Sequence, residues 1–286
     1  MAHVRPAAIL LSFNSEETLG ATLDRVRLVT DEIFVVDSFS EDETVAIARS
    51  KNAVVVQHAF EHYGAQRNWA IDNLPLKNSW QLHLDADEWM DDDLVASIQN
   101  LPDSPPHSGY FLPRYVRFLG RVIYHGGMSP TWHLRLFRSG AGRCEERKYD
   151  QHFILLNGTS GKLTGAMIDD IRMPLTEWTV RHNRWADGEV AELRSEDMGS
   201  RVRPDPQGDP AQRKRYLRQR YNQLPLFVRP FLLFGYRYFL RLGFLDGTQG
   251  FIFWVLQTFW FRFLIDAKIW EKQNVTGSVE TISGKT

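Results

Sequence analysis

Asp85-Ala86-Asp87-Glu88 follows directly on the alternating apolar run Trp80–Leu84, and Asp91-Asp92-Asp93 comes soon after. Carboxylates packed this closely repel one another. They become tolerable at the end of a strand if a divalent cation neutralises them. Oxygen ligands suit Mg2+ or Mn2+, and Mg2+ is usually held by one or two carboxylates together with substrate phosphates. A nucleoside diphosphate would complete such a shell. The bland reading is a solvated acidic loop running into a helix N-terminus, and a D-x-D triplet alone favours it. The position after a buried strand, fourth in an alternating series, favours the cation.

That series is legible in the first hundred residues. Ala7–Ser12, Glu32–Asp37, Ala53–Gln57 and the Trp80–Leu84 run read as buried strands. Asn14 or Ser15 is expected to cap a first helix, with Glu16 and Glu17 in its positive first turn. Ser40 to Glu43 reads as a capping box opening a second helix, and a third is expected around Ala65–Leu74. Strands alternating with helices imply a mainly parallel α/β sheet with right-handed crossovers. Ligands bind such sheets beyond the carboxyl ends of the strands. Asn14, Asp37, Asp85 and Asp87 all fall at those ends and should converge on one edge.

Composition narrows the classes. The chain has 286 residues, a net charge of −1 and ordinary apolar and charged fractions, which argues for a globular protein with no nucleic-acid partner. Cys144 is the one cysteine, which suits a reducing compartment. The apolar run near the N-terminus is too short for a signal-peptide core, so no export is expected. Neither G-x-G-x-x-G nor G-x-x-x-x-G-K-[ST] occurs, which argues against a dinucleotide oxidoreductase and a P-loop enzyme.

The ordered set LSFNSEETL, DEIFVVDSFSEDETVAIA, YGAQRNWAI, WQLHLDADEW, GRVIYHGGM, HLRLFRSGAGR and YFLRLGFLDGTQGF resembles family 2 glycosyltransferases of the GT-A fold. More narrowly, it is similar to the subfamily containing lipopolysaccharide-core β-1,4-glucosyltransferases. The resemblance covers most of the chain. It implies a Rossmann-like sheet, a nucleotide-sugar donor, plausibly UDP-linked, and a Mn2+ or Mg2+ cofactor. It implies that Asp37 binds the uridine or ribose, that the Phe13–Asn14 loop lines the base pocket, and that Arg67 lies near the nucleotide. Asp85 would touch ribose or metal, Asp87 would ligate the metal, and Glu88 would be a charge behind them or at a helix end. His125 would line the acceptor site. Two departures stand out. The usual Y-N-E-E is Phe13-Asn14-Ser15-Glu16-Glu17, and Tyr149-Asp150-Gln151-His152 replaces the usual His-Glu after F-R-x-G.

Displacement at an anomeric carbon requires a base for the acceptor hydroxyl, worth roughly 10²–10⁴-fold. Asp150 is the first choice, in the strand-like segment KYDQHFILL, and His152 shares its face by period-two alternation. His152 reads either as a structural hydrogen-bonded residue or as a group orienting the base or contacting metal. Glu145 and Glu146 are the other candidates. Arg67 and Asn68 also admit structural readings, as a salt bridge and a local backbone cap. A two-carboxylate hydrolase fits less well, because a metal-binding pair suits a phosphorylated donor. Trp178, His182 and Trp185 share one face of a helix expected over Leu175–Arg194, a stripe that reads as core packing.

The expected organisation is a GT-A domain over residues 1–200, with a nucleotide-sugar half (1–108) and an acceptor half (109–200). A linker around Arg201–Pro210 opens a basic, aromatic helical region, 201–274, before a disordered tail, 275–286. Arg213 to Leu245 carries eight Lys or Arg and no Asp or Glu, and Phe251–Trp270 is rich in tryptophan. Asp246, Gln257, Arg262 and Asp266 interrupt what would otherwise approach the ~20 apolar residues of a membrane span. Amphipathic helices lying on anionic lipid at the cytoplasmic face are therefore expected, with a soluble helical cover or an oligomer interface as the other reading. Together these readings describe a membrane-associated inverting glycosyltransferase acting on a lipid-linked glycan. Two alternatives remain: a sugar nucleotidyltransferase, whose basic Gly-rich phosphate loop LSFNSEE lacks, and a non-catalytic nucleotide-sugar sensor or scaffold.

Overall fold

The structure is a computed structural model, and it describes residues 4–146, 151–194 and 203–275. Strands β1 (Ala7–Ser12), β2 (Ile33–Asp37), β3 (Val54–Gln57) and β4 (Trp80–Asp85) alternate with helices α1 (Leu19–Val26), α2 (Thr44–Ser50) and α3 (Tyr63–Asn73). They pair in parallel in the spatial order β3-β2-β1-β4. β1 is buried on both faces, as its unbroken apolar run requires. Ala8 and Leu10 pack towards α1, α2 and α4 (Asp92–Gln99), while Ile9 and Leu11 pack towards Ala70 and Leu74 at the α3 end. β3 is the sheet edge, and there Val54 is 53% exposed.

The second half continues the same sheet with mixed polarity. β5 (Glu88–Met90) follows β4 immediately. β6 (Gly109–Phe118), β7 (Arg121–Ile123), β8 (Thr131–Arg138), β9 (Gly142–Cys144), β10 (Phe153–Leu155), β11 (Ser160–Lys162) and β12 (Met167–Ile171) complete the strands. β8 lies antiparallel between β4 and β6, β12 pairs in parallel with β6, and β5 folds back antiparallel onto β12. The turn between β4 and β5 therefore sits opposite β12.

Two expected caps are corrected. α1 begins at Leu19 rather than after Asn14 or Ser15. Asn14 has φ +44° instead, and its side-chain oxygen accepts from the Glu41 N–H at 2.9 Å. α2 begins at Thr44, and Ser40 donates to Asp37 instead of capping it. Asn14 thus finds its partner on the neighbouring loop, and Ser40 finds one three residues back, at the end of β2.

α5 spans Leu175–Arg194, as expected from its periodicity. α6 (Pro210–Asn222) opens with a capping box between Asp209 and Gln212. Then come α7 (Arg229–Gly235), α8 (Gly247–Trp254) and α9 (Phe261–Asn274), with π-helical turns at Tyr236–Leu240 and Val255–Trp260. These helices share clusters with the sheet. Phe118 and Ile123 pack with Trp178, Phe253 and Trp254, and Ala186 and Val190 of α5 pack with Phe261 and Ile265 of α9. The composition changes near residue 201, but the apolar core runs on across that point. Of the expected tail, 275–286, all but Val275 lies outside the described residues.

The interrupting charges of the C-terminal region point inward. Asp266 is fully buried and bonded by Arg229, Arg262 pairs with Glu189 at 3.0 Å, and Asp246 is 1% exposed. Asp246 accepts from the backbone N–H of Tyr124 and His125 and meets His125 Nδ1 at 2.8 Å. Gly126, at φ +81°, lies so close under Trp254 that a Cβ would come within 2.1 Å of the indole. The stretches GRVIYHGGM and FLDGTQGF are thus two halves of one joint.

On α5, Trp178 stacks on His182 at 3.4 Å, Phe261 meets the imidazole edge at 5.2 Å, and His182 Nδ1 bonds the Trp178 carbonyl. Burial pushes the His182 pKa down from 6.5 to about 4. Between those values the unfolded chain is protonated there and the folded chain is not. His182 therefore lowers stability as pH falls from about 6.5 towards 4, with no further loss below. His182→Phe should flatten this stretch of the stability curve, as measured by urea unfolding at pH 7 and pH 4.5. Equal acid sensitivity in both proteins would show that another group controls it.

Candidate functional site

A cavity of about 540 Å³ opens where β4, β8 and β12 face α3 and α5. Its volume suits a small-molecule site. A second cavity, of about 580 Å³, lies between β10, β11 and the start of α6, but it brings together no comparable cluster of charges.

The floor of the first cavity is an ionic lattice. Asp85, at the end of β4, accepts from Arg67 of α3 at 2.6 Å and Arg135 of β8 at 3.2 Å. Glu88, 1% exposed, accepts from Arg135 at 2.8 Å and pairs with Arg114 of β6 at 3.2 Å. A Glu88 oxygen also takes the Asp85 N–H at 3.0 Å, which fixes the turn between them. Arg114 reaches Asp169 of β12, which lies directly across from Glu88 in the strand register.

Asp87 stands apart. Among the described residues its carboxylate has no hydrogen bond or ion pair, and it lines the cavity. Burial first, then Asp169, Asp85 and Glu88, push its pKa well above the usual carboxylate range. Burial would also raise Asp85, but Arg67, Arg135 and Arg114 outweigh it and hold that carboxyl low. Asp87 therefore lacks a cation, and Asp85 already has two. Among the described residues no group of three His, Cys, Asp or Glu forms a complete metal cage. A divalent ion seated at Asp87 would take further oxygens from elsewhere, and phosphates supply them. The donor set fits Mg2+ or Mn2+, with Asp87 as the freer ligand and Asp85 beside it.

The other expected residues divide. Phe13 lines the cavity and is 59% exposed, with Phe60 and Tyr63 at the same mouth. Asn14 staples its loop to Glu41 and lies outside the lining. Asp37 is fully enclosed, bonded by Ser12, Ser40 and Gln57, so it sits behind the wall formed by Ser12 and Ser38. Arg67 holds Asp85 and lies over the Phe153 ring at 5.1 Å. Asn68 clasps both backbone groups of Cys144 at 3.0 Å, a long-range clamp where the sequence suggested a local cap. Gly64 allows this approach, because a Cβ there would come within 2.4 Å of the Glu145 carbonyl. His125 belongs to the Asp246 joint and lines neither cavity.

Asp150 lies outside the described residues. Its neighbour His152 is buried on the cavity wall, with Nδ1 3.3 Å from Glu145. Glu145 is 1% exposed and also takes Arg215 at 3.2 Å and the His152 N–H at 2.9 Å, while Glu146 is exposed. The residues that sequence reasoning missed are Arg114, His133, Arg135, Asp169 and Arg181, all lining the cavity. Their signal was charge inside otherwise apolar strands, as in HLRLF and MIDDI. His133 is held neutral, its pKa well below the usual imidazole value, by burial and then by Arg114 and Arg135. Trp185, at the end of the α5 stripe, reaches the cavity as well.

A half-buried carboxylate crowded by Asp169, Asp85 and Glu88 destabilises a fold unless a cation joins it. Asp87→Asn should therefore raise the melting temperature of metal-free protein while abolishing the further rise that Mn2+ gives the parent. Thermal scans with and without Mn2+ check both. A Mn2+ response that survives in Asp87→Asn would remove Asp87 from the metal site.

Comparison with known proteins agrees with this layout. An uncharacterized glycosyltransferase of Rickettsia prowazekii is 27% identical over 158 residues, 55% of this chain and 50% of its own length. One from Rickettsia typhi is 31% identical over 120 residues, 42% of this chain and 39% of its own. The match thus spans half or less of these relatives. Among solved structures, the mannosyltransferase PcManGT from Pyrobaculum calidifontis, in complex with GDP-Man and Mn2+, covers 94% of this chain and 87% of its own, with a TM-score of 0.51 and 14% identity. That likeness is one of fold, and the fold is GT-A. Residues 7–171, more than half of the 286 and the stretch that carries the whole sheet, match the glycosyl transferase family 2 pattern, and the chain belongs to that family.

Proposed function

We propose that the protein is an inverting, metal-dependent glycosyltransferase. It moves a sugar, a hexose by its resemblance, from a nucleotide-sugar donor, UDP-linked for choice, to a lipid-linked glycan of lipopolysaccharide type. The observation that carries this reading is Asp87: a cavity-facing carboxylate at the carboxyl end of the sheet, with no protein cation among the described residues. The family and the GDP-Man and Mn2+ bound by PcManGT support it.

In this reading the donor lies along the strand ends, with its base at the Phe13 loop. Asp37 would act from behind the wall, by ordering Ser12 and Ser40. Asp87, with Asp85 beside it, would hold Mn2+ or Mg2+. When bound, the ion would neutralise charge on the leaving diphosphate. Arg67 and Arg135 hold Asp85 in place, and Glu88 fixes the turn, so the ligand carboxylate needs little reorganisation. Asp150 would take the proton of the attacking acceptor hydroxyl, with His152 and Glu145 shaping the adjoining wall. Nucleotide release should be measured against a donor panel with membrane lipid extract as acceptor. One donor should be consumed, chelator should abolish turnover and Mn2+ or Mg2+ should restore it. Asp150→Asn should lower transfer by about 10²–10⁴-fold with nucleotide affinity nearly unchanged. Normal transfer by this variant would place the base elsewhere, and binding of a nucleotide-sugar without turnover of any donor would favour a sensor.

The acceptor side rests on the C-terminal helices. Gly243–Asn274 is long and apolar enough to cross a membrane by length and composition, with mean hydropathy 1.2, but its most apolar window is 39% buried in the protein. Asp246 and Asp266 face inward, while Phe231, Leu232, Phe239, Leu240, Leu242 and Leu245 are exposed. An outward apolar face with basic neighbours suits helices lying in the cytoplasmic lipid interface rather than spanning it. Full-length protein should float with vesicles containing anionic lipid better than with neutral ones, and high salt should weaken but not abolish this. Protein that ignores vesicles at both salts would make these helices a packing or oligomer surface.

A further inference from the structure

Among the described residues the cavity holds as many arginines as carboxylates, and three of each satisfy one another in the floor lattice. One anion and one cation remain. The anion is Asp87. The cation is Arg181 of α5, which lines the same cavity and makes no hydrogen bond or ion pair among the described residues. Its Nε is buried and unpartnered. Its guanidinium lies over the Trp185 ring at 4.8 Å, one turn further along the helix. That stacking holds the head group without using its N–H donors. A half-buried guanidinium whose Nε is shut off from solvent and unpartnered is well prepared for an anion.

Position decides which anion. Arg181 acts electrostatically on Asp169 and on Tyr63, and those two groups also feel Asp87 or act on it. It therefore shares the neighbourhood of the proposed metal carboxylate. It reaches the cavity from α5, as Tyr63 does from α3. A ligand that carries a cation against Asp87 and an anion against Arg181 satisfies both orphans at once, and a metal-bound diphosphate does this.

We propose that Arg181 is the protein's own contact to the terminal phosphate of the donor's nucleoside diphosphate. The assignment rests on the glycosyltransferase reading above. During transfer the bond between the anomeric carbon and the terminal phosphate oxygen breaks, and its electron pair stays on that oxygen. The acceptor oxygen forms the new bond and gives up its proton to the base. Arg181 N–H groups meet the charge that gathers on the departing phosphate, and Trp185 keeps the guanidinium aimed at it. The role needs a planar fork, so lysine should serve only in part.

The test is calorimetric binding of UDP, GDP and UMP to full-length protein at fixed Mn2+. Arg181→Ala should weaken binding of the preferred diphosphate by about 10- to 100-fold, the range for a charged hydrogen bond, and leave UMP affinity within about twofold. It should also reduce the salt dependence of diphosphate binding. Arg181→Lys should recover part of the loss. Arg181→Gln, which keeps the aliphatic stem and a polar planar head without the charge, carries the same prediction if the alanine variant unfolds. Unchanged diphosphate affinity in these variants would overturn the assignment alone, as would an equal loss for UMP or a loss confined to the KM for acceptor. Parent protein that binds no nucleotide would overturn the proposed function together with it.

Discussion

The constraint on which this structure depends is charge balance in a buried place. Asp85, Asp87, Glu88 and Asp169 are brought to one cavity floor, where carboxylates could not stay ionised without partners. Arg67, Arg114 and Arg135 supply that balance from α3, β6 and β8, three elements far apart in the chain. Each arginine reaches a carboxylate only if its own element is correctly docked. The lattice therefore ties the helix layer, the mixed half of the sheet and the β4–β5 turn into one arrangement. Breaking one pair would strand a buried charge, so the lattice is far costlier to disrupt than surface pairs such as Arg5–Asp31.

The joints elsewhere solve the same problem by other means. Asn68 presents an amide that mimics a strand partner to Cys144, so that α3 and β9 meet with their backbone groups satisfied. Asp246 does this for the backbone of Tyr124 and His125, and Gly126 clears room for Trp254. These contacts anchor the C-terminal helices to the sheet. With Asp246 and Asp266 turned inward, Phe231, Leu232, Phe239, Leu240, Leu242 and Leu245 stand on the outer surface of this region.

The cavity also shows how a site can be incomplete by design. Among the described residues its internal pairs use up every lining Arg, Asp and Glu charge but two, and those two, Asp87 and Arg181, have opposite signs. In the proposed reading they would meet the cation and the diphosphate of the donor. Preorganisation of this kind trades folding stability for ligand affinity, because the ligand recovers the free energy that folding forgoes.

Much of this was written in the local sequence. Unbroken apolar runs specified β1 and β2, alternation specified β4, and the 3.6-residue period specified α5 over Leu175–Arg194. The acidic triplet Asp85, Asp87 and Glu88 at the end of β4 lines the cavity of the candidate site. Tertiary structure decided the rest. Helix starts moved where Asn14 found a partner on a neighbouring loop and Ser40 one at the end of β2. His125, matched by motif to an acceptor site, became a joint because Asp246 lies 121 residues away in the chain and 2.8 Å away in space. Asp169 and Arg181 joined the site through a strand register and a helix packing angle that no local pattern encodes. The division has one physical cause. Propensity and periodicity act over a few residues, whereas the pairing of a buried charge depends on which distant element arrives beside it.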